Sequence, residues 1–68
     1  MTYYLTIYYA DGPKTYILTD YEIMLGLLTG IKEDGKAIII NYHDADINGV
    51  LITNKYGAIL FARNKGRN

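Results

Sequence analysis

Cysteine, serine, glutamine and tryptophan are all missing from this 68-residue chain, and histidine and proline occur once each. Without cysteine there is neither a disulfide framework nor a thiolate metal site, so stability rests on burial. Without serine or cysteine, nucleophilic attack is left to Thr, Lys, Asp, Glu, His or Tyr, and none stands in a recognisable activating arrangement. The glycines read as turn or cap residues, Gly26 excepted, and none builds a phosphate-binding loop. Neither an enzyme nor a cofactor is expected. No apolar run approaches the roughly 18 residues of a membrane span, and no basic region followed by an apolar stretch marks a signal peptide. The expected compartment is the cytoplasm.

What is present is aliphatic and aromatic. Half of the residues are hydrophobic, with eight tyrosines and ten isoleucines. That is enough to fold one small domain, near the lower size limit for an unstapled core. The Ile, Asn, Tyr and Lys bias also suggests AT-rich codons, which points to a low-GC bacterium or to a phage or mobile element living in one. Formal charge is zero but unevenly spread. Residues 1–54 hold all seven acids against Lys14, Lys32 and Lys36 (−4), and residues 55–68 hold Lys55, Arg63, Lys65 and Arg67 without an acid (+4). Two readings fit: a basic arm for nucleic acid, or a solvated end. The expected division is a single domain over 1–62 with a basic, frayed tail over 63–68.

The first strand is the clearest element. In Thr2–Tyr9, strand alternation puts Tyr3, Leu5, Ile7 and Tyr9 on a core face and Tyr4, Thr6 and Tyr8 on the other. Asp11-Gly12-Pro13 is a turn signal, and Lys14–Leu18 should pair back as a hairpin. Thr19-Asp20-Tyr21-Glu22 matches a capping box, with Leu18 and Ile23 placed for a hydrophobic staple. The pattern predicts a helix from there to about Thr29, closed by Gly30 in the left-handed C′ position. Tyr21, Met24, Leu25, Leu27, Leu28 and Ile31 would form its apolar stripe, with Gly26 at a cost of ~1 kcal/mol inside it. Ala37–Tyr42 reads as a central strand buried on both faces, and Val50–Thr53 and Ala58–Ala62 flank an Asn54-Lys55-Tyr56-Gly57 hairpin turn. The expected fold class is α+β, order β-β-α-β-β-β: an antiparallel sheet of four to five strands with one helix on one face.

One loop invites chemistry. Asp44-Ala45-Asp46-Ile47-Asn48-Gly49 resembles the first half of an EF-hand calcium loop, with oxygen ligands at alternate positions and glycine sixth. The twelfth position, where a bidentate Glu is needed, is Lys55. Asp44, Asp46 and Asn48 are therefore a weak metal candidate, and Asx-turns are the competing reading. His43 beside them reads as a surface residue at a strand end.

The remaining candidate is a surface. Tyr4, Thr6, Tyr8 and Tyr56 offer large, partly polar contact area of the kind that recognises proteins. The expectation is a small protein-binding module that inhibits or modulates a larger host protein or nucleoprotein machine, with a homodimer through the tyrosine face as a further option. The alternative is a single-stranded nucleic-acid binder that stacks bases on the tyrosines and holds phosphates with Lys55, Arg63, Lys65 and Arg67.

Overall fold

A computed structural model of the chain describes residues 1–64. It consists of β1 (Tyr3–Tyr9), β2 (Gly12–Met24), β3 (Leu27–Lys32), β4 (Ala37–Asn41), β5 (Ile47–Asn54) and β6 (Ile59–Asn64). All neighbours are antiparallel, in the order β4-β3-β2-β1-β5-β6.

The expected α+β class is corrected: among the described residues there is no helix, and so none long and apolar enough to cross a membrane. Residues 19–30 are strand, turn and strand. The groups that would have capped a helix are satisfied otherwise. The Thr19 hydroxyl donates to the Ile31 carbonyl (3.3 Å), and Asp20 Oδ1 accepts from the Tyr21 amide (2.9 Å). Gly26 is a turn residue at φ +84°, and Gly30, read as the left-handed C′ residue, has no positive φ and lies in β3. Other expectations are corrected too: Gly12 and Pro13 lie in β2 rather than in a turn, and Ala37–Asn41, expected within a central strand buried on both faces, is an edge strand with Ile39 67% exposed. Strand β5 begins at Ile47, so Asn48 belongs to a strand, and β6 runs to Asn64 and includes Arg63.

Strand β2 organises the whole. Its first half, to Leu18, pairs with β1, and its second half, from Leu18 to Met24, pairs with β3. A β-bulge between Leu18 and Asp20 separates the halves. Bulged strands that switch partners make the corners of folded sheets. Here the corner folds β3 and β4 over the inner face of β1, β5 and β6. Leu5, Ile7, Leu18, Leu28, Ile40, Ile47, Val50 and Ile52 close into one buried core drawn from both halves. The Tyr3 and Tyr21 rings meet edge to face across it at 4.9 Å.

The far ends meet as well. Tyr42, just past β4, stacks at 5.6 Å on Phe61 of β6, with the Arg63 guanidinium 5.3 Å from the Tyr42 ring. In a flat six-stranded sheet those edge strands would stand about 24 Å apart. The segment expected as a covering helix does cover the sheet, but as sheet.

Candidate functional surface

Residue pairing defines the outer face of the β2–β1–β5–β6 layer. Tyr4 lies between Ile17 and Thr53, Thr6 between Thr15 and Leu51, and Tyr8 between Pro13 and Gly49. Leu51 in turn lies beside Ala62. The Thr6 and Thr15 hydroxyls are 3.2 Å apart, as cross-strand neighbours on one face should be. A Cβ on Gly49 would crowd the Arg63 carbonyl oxygen and Asn64 Oδ1 (both 3.2 Å) while meeting the Tyr8 ring at an ordinary 3.6 Å, so the glycine serves the close approach of β6.

None of these side chains carries a charge, although 21% of the chain is Asp, Glu, Lys or Arg. Lys14 pairs with Ile7 and so belongs to the opposite side. The patch spans on the order of 300 Å², from strand spacing and rise. Tyr8 and Ile17 are 41% and 40% exposed, and Ala62 is exposed; Tyr4, Thr6, Leu51 and Thr53 are half-buried. It is a shallow, smooth surface with a Tyr-Thr-Tyr ridge down its middle.

The other candidates fall elsewhere. Tyr56 is 83% exposed in the β5–β6 turn, beyond the Tyr4 end of the face, with Lys55 Nζ 5.3 Å from its ring. Asn54 Oδ1 builds that turn by accepting from the Tyr56 and Ala58 amides (2.8 and 3.0 Å). Arg63 pairs with Val50, near the opposite end of β5, and its guanidinium lies over Tyr42. Lys55 and Arg63 are thus not brought together, and Arg63 does not join the tyrosine ridge. Lys65 and Arg67 lie outside the described residues.

The acidic loop closes on itself. Asp44 Oδ1 accepts from the Asp46 amide (3.0 Å) as an Asx-turn, and the Asp44 carbonyl accepts from the Ile47 amide (3.1 Å). Asn48 is on β5, so the three oxygen donors do not share one loop. Among the described residues no group of three or more His, Cys, Asp or Glu is arranged to hold a metal ion. Burial pushes the Tyr9 hydroxyl above the ordinary tyrosine range, helped by nearby Tyr16, Asp44 and Asp11. That hydroxyl is accordingly a neutral group at physiological pH.

The tyrosine ridge was legible from alternation in β1 alone. Its neighbours Ile17, Leu51 and Ala62 were not, because their place on the same face depends on strand register. Comparison of the chain with protein-family models, with curated proteins and with solved structures found no match.

Proposed function

We propose that this chain is a small, non-enzymatic protein-binding module that seats its uncharged outer face on a larger protein or nucleoprotein machine. The absence of charge across four strands around the Tyr4-Thr6-Tyr8 ridge carries this reading. A merely solvated sheet face presents polar and charged side chains. The buried middle of a protein interface is instead depleted in charge and enriched in tyrosine. Occupying a surface requires no catalytic group, which suits an inhibitor or modulator encoded by a phage or mobile element and acting in the cytoplasm of a low-GC host.

The test is capture from a low-GC bacterial lysate after nuclease treatment, followed by titration of the purified partner with wild type and with Tyr8→Lys/Ile17→Lys. Both substituted side chains are exposed, so the variant should fold. A partner bound stoichiometrically by wild type and at least tenfold more weakly by the variant, about 1.4 kcal/mol or more, is the expected result. Equal affinity of the two proteins removes the outer face from the mechanism. Capture that disappears with nuclease transfers the proposal to the nucleic-acid alternative.

A further inference from the structure

We infer that the open edge of β4 pairs with the same edge of a second copy, antiparallel and centred on Ile39. Two backbone bonds fix which groups that edge presents. The Tyr42 amide donates to the Gly26 carbonyl (3.0 Å), and the Lys32 amide donates to the Lys36 carbonyl (2.8 Å). These bonds bracket the β3–β4 pairing, and in an antiparallel ladder hydrogen-bonded pairs alternate with non-bonded ones. Leu28·Ile40 and Gly30·Ile38 are therefore the bonded pairs. The amides and carbonyls of Ala37, Ile39 and Asn41 point away from β3, and no other described strand pairs with them.

That edge is unguarded. Natural edge strands carry charges, proline or bulges that discourage further pairing. Ala37-Ile38-Ile39-Ile40-Asn41 has none of these, and Ile39 is 67% exposed. The opposite edge, β6, has both an irregular register against β5 and Arg63.

A second copy is the occupant that the strand itself favours, because it is self-complementary about Ile39. A two-fold axis there sets Ile39 against its equivalent, Ala37 against Asn41 of the second copy, and Ile38 against Ile40. Ala37, Ile39 and Asn41 become the bonded pairs, so every outward amide faces an outward carbonyl. The Asn41 carbonyl already accepts from Asp44 (3.0 Å), which leaves four bonds free of competition. On the inner side, half-buried Ile38 meets Ile40 and extends the core across the axis. Lys36 is brought opposite Tyr42, so no like charges oppose each other within the paired segment. The pairing uses the backbone edge of β4, whereas Tyr4, Thr6 and Tyr8 are side chains on the outer face of β1, an interior strand of the sheet, so the two surfaces share no residue. This inference is therefore independent of the proposed function.

A five-residue ribbon buries less than a standard interface of ~1,200 Å². Dimerisation should accordingly be weak, appearing between about 10 μM and 1 mM. Sedimentation equilibrium across that range should show the mass rising from 7.7 kDa toward twice that value. Ile39→Lys and Ile39→Glu should each remain monomeric, since either places like charges opposite each other, and an equimolar mixture should restore the dimer. On wild type, amide exchange gives a readout that needs no variant. The Ile39 and Asn41 amides should slow tenfold or more from dilute to concentrated protein, while those of Ile38 and Ile40 are protected throughout. A monomer at about 1 mM, a dimer that Ile39→Lys leaves intact, or an Ile39 amide that exchanges freely in the dimer would each overturn the inference.

Discussion

Gly30 shows how one residue type can serve two unrelated ends. Next to an expected helix terminus it reads as the residue that tolerates left-handed backbone. In the fold its value is the missing side chain. A Cβ there would stand 2.7 Å from Leu18 Cδ1, 3.0 Å from Leu18 Cδ2 and 3.3 Å from Ile38 Cγ2. Leu18 is fully buried and cannot retreat. Gly30→Ala should therefore destabilise by about 1–3 kcal/mol through overpacking, measured as a lower urea midpoint. A helix C′ glycine at positive φ would respond through backbone strain instead. A variant as stable as wild type would show that this contact is slack.

At the scale of elements, the stretch from Thr19 to Ile31 is where local signals misled. Its apolar residues satisfy a helical stripe, yet they also alternate. Tyr21 and Ile23 face the core while Glu22 and Met24 are exposed, and Leu28 and Gly30 are buried while Leu27 is exposed. Short apolar runs do not distinguish the two periods, and tertiary pairing decides. One clue was available: a glycine inside a helix is a cost, whereas Gly26 between Leu25 and Leu27 is a ready turn. Gly26 at φ +84°, with no non-glycine residue at positive φ, matches a type II turn over Met24–Leu27 with Leu25 in its second position. The turn is also clamped: the Gly26 amide donates to the Tyr42 hydroxyl (3.2 Å). Leu25 is fully exposed there. Proline favours that position, so Leu25→Pro should stabilise by about 0.4–1 kcal/mol, visible as a raised Tm. In the middle of a helix the same change would cost ~3 kcal/mol or more, so the sign of the shift separates the two structures.

For the molecule as a whole, closure matters more than any single strand. The bulge at the β2 corner brings the two halves of one sheet face to face, and Tyr42 on Phe61 joins their far ends. Phe61→Ala should cost about 1–3 kcal/mol, below the full burial value because the ring is half-exposed. Exchange of the β3–β4 amides should speed up more than that of β1 and β5, since the lost contact is the one that ties Tyr42, next to β4, to β6. Uniform acceleration would mean that the two halves do not open separately.

Sequence by itself determined what depends on near neighbours. It settled the alternation of β1, the hairpin turn at Asn54–Gly57, the presence of a strand from Ala37 though not its edge position, and the lack of thiol and serine chemistry. These follow from side-chain period, turn residues and composition, all read within a few positions. Only the tertiary structure decided that Thr19–Thr29 is not helix, that Asn48 and Arg63 belong to strands, and which residues join Tyr4, Thr6 and Tyr8 on one face. The first depends on which of two local periods strand pairing selects, and the others on the register between strands. Sheet hydrogen bonds, unlike helical ones, have no fixed sequence separation, so a strand's partners cannot be counted off along the chain that forms it.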